Sequence, residues 1–386
     1  MTHDFQNSIS LLGATGSIGR QTLDVAEQLN LKVCALSADT SIDLLEEQTR
    51  KFRPSIVAVY NDTSAREFKI RVRDLDVRVV SGMDGLIEVA CVSGAQTVVT
   101  AVVGTIGLLP TLSAIKLGRR IALANKETLV CAGALVMRSA REHNAEIIPV
   151  DSEHSALFQC LRGENMHTVK RLILTASGGP FRGMDRVHLE NVTPEMALKH
   201  PNWVMGKKIT IDSSTLMNKG LEIIEAVHLF DIPPDQVEVV IHPESIIHSM
   251  VEYCDHSIIA QLSHPDMRLP IQYAITYPSR TAGMTRPLDF SALTSLTFQP
   301  PDHAAFPCLS LAFKAAHMKG TACAILNGAN EAAVDLFLQG KLSFYGIHDC
   351  VQSALENIPH VKSPALEDII EAGTSAMQWV RNICQK

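Results

Sequence analysis

Acidic, hydroxyl, amide and ammonium side chains gather in two stretches of this 386-residue chain. The first is Asp151-Ser152-Glu153-His154-Ser155. In an extended segment its two carboxylates, separated by one serine, would lie on one face and share a hard cation; oxygen donors of this kind suit Mg²⁺ or Mn²⁺ rather than zinc. The same residues also read as a helix start capped by Asp151, with Glu153 in the first turn. The second stretch opens with His200-Pro201-Asn202-Trp203-Val204-Met205-Gly206-Lys207-Lys208, a basic loop that carries apolar groups in the manner of a lid. It continues through Lys208–Ile211, read as a short strand, and Asp212-Ser213-Ser214, read as the cap of a helix starting near Thr215. On that helix Asn218, Glu222 and Glu225 fall on one face at i, i+4 and i+7, with Lys219 beside them. Such a set suits phosphate, hydroxyl groups and an oxygen-only metal shell. The bland alternative is a solvated helix face with a Lys219–Glu222 pair.

Three further clusters sit where strands are expected to end. Ser177-Gly178-Gly179-Pro180-Phe181-Arg182 follows a strand at Arg171–Ala176 and offers a hydroxyl and flexible backbone amides to an anion. Gly13, Gly16 and Gly19 lie between a strand at Ser8–Leu12 and a helix at Arg20–Leu29, so the backbone can turn tightly and approach a pyrophosphate at the helix N-terminus. Their spacing departs from the commonest dinucleotide fingerprint, yet the place at the first strand-to-helix turn points to a nucleotide cofactor. Asp39 stands at the end of the second strand, where an acidic residue bonds a ribose 2′-hydroxyl; by itself it favours NAD. Asn125-Lys126-Glu127 follows Arg120–Ala124, either as a ligand cluster or as a helix start with an exposed charge pair.

The elements that must carry these groups follow from periodicity. Leu31–Leu36, Ser55–Val59, Val77–Val80, Thr97–Val103, Arg120–Ala124 and Glu146–Val150 are buried-strand candidates. Helical patterns such as Ile42–Phe52 and Pro110–Leu117 separate them, which predicts an α/β, mainly parallel, doubly wound domain over residues 1–150. Strands at Arg171–Ala176, Lys208–Ile211, Val237–Ile241, His248–Tyr253 and Ser257–Leu262 predict an α+β domain over 151–280. Pro287, Pro300 and Pro301 mark a linker over 281–301. Helices at Cys308–Met318, Thr321–Leu338, Ile347–Asn357 and Leu366–Ile383 complete a helical domain over 302–386.

Composition narrows the function classes. Hydrophobic residues at 46% and charged ones at 19% are those of an ordinary globular enzyme. Aromatic content of 5% and a net charge of −7 speak against nucleic acid or an anionic lipid surface as a partner. The nine cysteines form no Cys-x-x-Cys pair, so neither a disulfide framework nor a zinc knuckle is indicated. Met1 to Asn7 lack a charged-then-apolar leader pattern, and no apolar run approaches the roughly 20 residues of a membrane span, so a cytoplasmic protein is expected.

Taken together, these segments resemble the 1-deoxy-D-xylulose 5-phosphate reductoisomerase family. The resemblance is carried by Gly13–Gly19 with Arg20-Gln21-Thr22-Leu23-Asp24, by Leu123-Ala124-Asn125-Lys126-Glu127, Pro149–Ser155, Ser177–Arg182 and His200–Glu225. It extends through His242–Tyr253 with Pro265-Asp266-Met267-Arg268, and Leu326-Asn327-Gly328-Ala329-Asn330-Glu331, in the family's order.

The resemblance implies a homodimer whose subunits have an N-terminal Rossmann-like NADPH-binding domain, a central catalytic domain and a C-terminal helical bundle. Asp151, Glu153 and Glu222 would ligate Mg²⁺ or Mn²⁺ and, with His200 and Lys219, carry the catalysis. Ser152, Ser177, Ser213, Asn218 and Lys219 would contact the substrate, as would Glu153, Glu222 and His200, the last in the closing loop with Trp203 and Met205. Thr15, Gly16, Ser17, Ile18, Asn125, Lys126, Glu127 and Gly206 would contact the cofactor, and His154, His248 and Glu225 would take supporting places. The implied reaction rearranges a phosphorylated ketose, 1-deoxy-D-xylulose 5-phosphate, and reduces the resulting aldehyde with NADPH to 2-C-methyl-D-erythritol 4-phosphate, on the non-mevalonate route to isoprenoids. Two departures stand out. Asp39-Thr40-Ser41 replaces the family's usual Gly-Lys-Asn or Gly-x-Asn, which predicts continued NADPH use with weakened discrimination against NADH, and Glu244 replaces a glutamine. Two other readings compete: a metal-free nicotinamide dehydrogenase, whose activity would survive chelation, and a nucleotide-binding redox sensor without turnover, which has no use for the metal-ligating carboxylates.

Overall fold

The computed structural model describes residues 8–201, 203 and 205–384. Asn202 and Val204 of the expected lid, and Met1 to Asn7, on which the expectation of no leader rests, lie outside the described residues. The chain is α/β, as its alternating pattern predicts, and divides into two compact units that interleave in sequence. The first takes the residues through Thr128, then Val136–Ser155 and Asp266–Arg286; the second takes Leu129–Leu135, Ala156–Pro265 and the chain from Pro287 onward.

In the first unit the strands β1 (Ser8–Leu12), β2 (Lys32–Ala38), β3 (Ile56–Val59), β4 (Arg78–Ser81), β5 (Thr97–Thr100), β6 (Arg120–Leu123) and β7 (Ile147–Pro149) form one sheet. Its order is β4-β3-β2-β1-β5-β6-β7, and every pair is parallel. β1, β3, β5 and β6 are buried from end to end, which explains why β3 and β5 are wholly apolar or β-branched and why β1 and β6 interrupt the pattern only at Ser8, Ser10 and Arg120: both faces of a parallel sheet are covered by helices. The helix Ile42–Phe52 shows the local logic. Its buried Ile42, Leu45, Gln48 and Thr49 recur at helical spacing, and Arg53 ends it in the left-handed conformation. Sequence order reverses at β1, so the carboxyl ends of β1 and β5 flank the crevice where doubly wound sheets bind ligands.

In the second unit β8 (Val169–Ala176), β9 (Val237–Ile241), β10 (Ile247–Tyr253) and β11 (Ile258–Leu262) form a mixed sheet in the order β11-β10-β8-β9. β8 and β9 are parallel, and β10 is antiparallel to both of its neighbours. One apolar core joins this sheet to the helices Met217–Phe230, Cys308–Met318, Ala322–Leu338, Phe344–Asn357 and Leu366–Ile383, with Leu174, Val251, Leu221, Leu309, Phe337 and Val351 among its members.

One expected strand is a helix. Lys207–Ser214 is helical with Gly206 at its N-cap, although Ile209-Thr210-Ile211 favours a strand locally. Thr210 Oγ1 donates to Gly206 O at 2.8 Å, Lys208 pairs with Asp212 one turn later at 2.7 Å, and the helix packs on Ala322–Leu338. Tertiary burial of this helix face outweighs the weak β preference. Asp212-Ser213-Ser214 is therefore its last turn and not the cap of the next helix, which starts at Met217.

Candidate active site

The glycine turn of the first unit is built by close approach. Gly13 has φ +85°, and a Cβ added there would lie 2.5 Å from the Ala101 carbonyl just beyond β5; one on Gly19 would lie 2.1 Å from the Gly13 carbonyl. Only hydrogen fits at either position. The sheet and a neighbouring helix pin the turn: Gly13 N donates to Ser37 Oγ at 3.0 Å, Ala14 N to Ser37 O at 2.7 Å, and Gln48 Nε2 to Ala14 O at 2.9 Å. Sequence reasoning passed over Ser37 and Gln48. Their faint signal is a polar residue at a position whose period is otherwise apolar. The helix Ser17–Gln28 begins behind Gly16 with no side-chain cap, so the amides around Thr15, Gly16, Ser17 and Ile18 suit an anion reinforced by the helix dipole. Asp39 is exposed at the end of β2.

Asn125, Lys126 and Glu127 open the helix Lys126–Glu142 and are 1%, 7% and 6% exposed, which removes the exposed-charge reading. Asn125 Nδ2 donates to Val102 O at 2.8 Å, Gly104 O at 2.9 Å and Glu127 Oε2 at 3.1 Å, bracing the loop after β5. The segment Asp151–Ser155 opens a helix and is not extended, which leaves its carboxylates available to a cation. Ser152–Cys160 is a helix, Ser155 N donates to Asp151 O at 2.8 Å, and Glu153 lies in the first turn. Lys126 Nζ lies 2.6 Å from Asp151 Oδ2, Ser152 Oγ donates to Glu153 Oε2 at 2.6 Å, and the buried His154 places Nδ1 at 3.9 Å from Asp151 Oδ2.

The second unit gathers the anion-binding candidates. Gly178 and Gly179 have φ of +84° and +66°, and a Cβ on Gly179 would meet the Ser213 carbonyl at 2.8 Å, so the loop after β8 lies against the last turn of Lys207–Ser214. His200 Nδ1 accepts from Trp203 N at 3.0 Å, and its Nε2 is 3.0 Å from Ser177 Oγ. The first bond assigns the tautomer. With Nδ1 an acceptor, Nε2 carries the proton and donates to Ser177. Burial holds the His200 pKa below its ordinary value and keeps the ring neutral. Ser177 Oγ also accepts from Gly179 N at 3.2 Å, so its own proton is directed to a third partner, as an anion-binding hydroxyl requires. Gly206, expected at the cofactor, is the N-cap described above.

Between the helices Lys207–Ser214 and Met217–Phe230, the buried Leu216 is left-handed at φ 58°. That conformation costs about 1–2 kcal/mol for a residue with a side chain, and strain of this kind collects at functional sites. On the following helix Lys219, Glu222 and Glu225 are 4%, 1% and 0% exposed, so their face is not a solvated one. Glu222 Oε1 accepts from Asn218 Nδ2 and Oε2 from Lys219 Nζ. His248, on β10, bonds Ser263 Oγ through Nε2 at 2.8 Å.

A glycine turn that excludes even a methyl group, an uncapped helix start and hard oxygen donors define the class: a nucleotide-dependent α/β oxidoreductase with an anion site and carboxylates fit for a divalent cation. Residues 9–133 match the 1-deoxy-D-xylulose 5-phosphate reductoisomerase family, residues 147–230 its C-terminal domain, and residues 262–381 the DXP reductoisomerase C-terminal domain. The 1-deoxy-D-xylulose 5-phosphate reductoisomerase of Acetivibrio thermocellus is 55% identical over 380 residues, 98% of this chain and 99% of that one. The Zymomonas mobilis reductoisomerase, solved in complex with NADPH, aligns with a TM-score of 0.92 at 40% identity, over 99% of this chain and 100% of that one. A DOX-P reductoisomerase solved with NADPH, fosmidomycin and magnesium gives a TM-score of 0.94 at 40% identity, over 98% of both chains. The chain belongs to the 1-deoxy-D-xylulose 5-phosphate reductoisomerase family.

Proposed function

We infer that the protein converts 1-deoxy-D-xylulose 5-phosphate to 2-C-methyl-D-erythritol 4-phosphate with NADPH and a divalent cation. The observation that carries this reading is similarity to reductoisomerases along essentially the whole chain, at 55% identity over 98% of its length. Residues 1–150 serve NADPH, 151–280 carry the chemistry, 281–301 link and 302–386 form the helical support. Thr15, Gly16, Ser17, Ile18, Asn125, Lys126, Glu127 and Gly206 contact the cofactor, and the tight glycine turn supports its pyrophosphate seat. Asp151, Glu153 and Glu222 hold Mg²⁺ or Mn²⁺, a set whose donors are all carboxylate oxygens.

When bound, NADPH supplies the hydride, and the cation supplies positive charge against the negative charge that develops as the ketose skeleton rearranges. Ser177, Ser213, Asn218 and Lys219 hold the phosphate and neighbouring hydroxyls, and Ser152 contacts the reacting end. Anchoring the remote phosphate positions that end. Neutral His200 donates through Nε2 and, with Trp203 and Met205, belongs to the loop that closes and excludes water. The functional form is a cytoplasmic homodimer; among the described residues, no helix is long and apolar enough to cross a membrane.

The test follows NADPH oxidation with 1-deoxy-D-xylulose 5-phosphate, with and without Mg²⁺ or Mn²⁺. Oxidation is expected to require both ketose and cation. Turnover that persists after chelation would replace this reading with a metal-free dehydrogenase. Asp39 predicts a smaller NADPH-over-NADH ratio of kcat/KM than a basic residue there would give, and a strong NADH preference would overturn the NADPH assignment.

A further inference from the structure

The segment Leu326–Glu331 carries part of the family resemblance yet has no place in the chemistry above. Its Asn330 lies on the helix Ala322–Leu338, fully buried, and donates from Nδ2 to Asp212 Oδ1 at 2.8 Å. Asp212 is 1% exposed, and its other oxygen, Oδ2, lies 2.7 Å from Lys208 Nζ. A buried carboxylate is tolerated when both oxygens are satisfied, and a satisfied pair of this kind fixes geometry more than it adds stability. Because a carboxylate only accepts, the amide nitrogen of Asn330 must face it, which settles the amide orientation.

The next residue along the chain is Ser213. Its carbonyl accepts from Leu216 N at 3.2 Å and lies where a Cβ on Gly179 would meet it at 2.8 Å. Lys208 lies in the first turn of the same helix, just after its N-cap Gly206. Asp212 therefore ties the helix turn that presents Ser213 to the first turn of the same helix and to a helix more than 100 residues away in sequence. We propose that Asn330, acting through the Asn330–Asp212–Lys208 hydrogen-bond chain, is a positioning residue for the anion site, setting Ser213 and the Ser177–Gly179 loop for the phosphate of the substrate. The proposal rests on the function inferred above.

Asn330→Leu keeps the branching pattern of the side chain and removes the donor. It raises KM for 1-deoxy-D-xylulose 5-phosphate about tenfold, equivalent to about 1.4 kcal/mol of binding, while kcat stays within about threefold and KM for NADPH is unchanged, as expected for lost ground-state binding. Asp212→Asn is the conservative control. Its amide oxygen can accept from Lys208 and its nitrogen can donate to a turned Asn330, so KM stays within about threefold of wild type. Asn330→Ser is measured beside Asn330→Leu, so that a folding failure of the larger side chain leaves a readable variant with the same expected KM rise. Unchanged KM for the ketose in a folded Asn330 variant, or an equal rise for NADPH, overturns the positioning role. Wild-type protein that does not turn over the ketose instead overturns the function on which the proposal rests.

Discussion

Glu222→Gln removes one charge from the most buried part of the proposed catalytic set. Glu222 is 1% exposed; one oxygen accepts from Asn218 Nδ2 and the other from the ammonium of Lys219, itself 4% exposed. A glutamine keeps the shape but offers one acceptor and one donor where the carboxylate offers acceptors on both sides. With its oxygen toward Lys219 and its nitrogen toward a turned Asn218 both bonds can form, but the ion pair with Lys219 is reduced to a bond from an ammonium to a neutral acceptor. A hydrogen bond involving a charged group is worth about 1.5–3 kcal/mol, which sets the upper limit of the expected loss of folding stability. The cation would simultaneously lose one of its three proposed anionic ligands, for which we expect at least a hundredfold weaker affinity, about 2.7 kcal/mol. The assay is a Mg²⁺ titration of ketose-dependent NADPH oxidation, paired with Mn²⁺ binding followed by electron paramagnetic resonance and with KM for NADPH. The expected result is weakened cation binding and sharply reduced turnover with KM for NADPH within about twofold. Wild-type cation binding and turnover in the folded variant would refute the assignment of Glu222 as a ligand.

Two further outcomes follow from the geometry. Gly19→Ala places a Cβ 2.1 Å from the Gly13 carbonyl, so the phosphate turn must open; KM for NADPH should rise at least tenfold with KM for the ketose little changed, and wild-type NADPH kinetics would contradict the cradle. His228 is held neutral mainly by burial, opposed by Asp231 and aided by Lys319, with its pKa pushed down from 6.5 to about 4. A depressed folded pKa contributes stability that is fully present above pH 6.5 and lost as pH falls toward 4, on the order of 3 kcal/mol in all. Denaturant unfolding of wild type and His228→Gln at pH 7 and pH 4.5 measures it; the variant should lose less stability on acidification, and parallel losses would contradict the account.

Local pattern in the amino-acid sequence determined much of the architecture. The largely apolar runs of β1, β3 and β6 required a sheet covered on both faces, and the alternation with helices required parallel crossovers. The limits of Ile42–Phe52, Val237–Ile241, Cys308–Met318 and Leu366–Ile383 follow from period and punctuation alone. So does the tight turn at Gly13, because a glycine between strand and helix is a local signal. Residue chemistry around Asp151 and from His200 to Glu225 was equally legible, but its setting was not. Ile209-Thr210-Ile211 carries a β-branched strand pattern, and only packing on Ala322–Leu338 makes it a helix. Lys219, Glu222 and Glu225 have the spacing of a solvated face, and only the core around them makes that face dry. His200 shows no tautomer in sequence; Trp203 N and Ser177 Oγ assign it. The division has one physical cause. Period and turn chemistry act over a few residues and are written locally, whereas burial and hydrogen-bond partnership depend on groups that meet only when distant segments fold together.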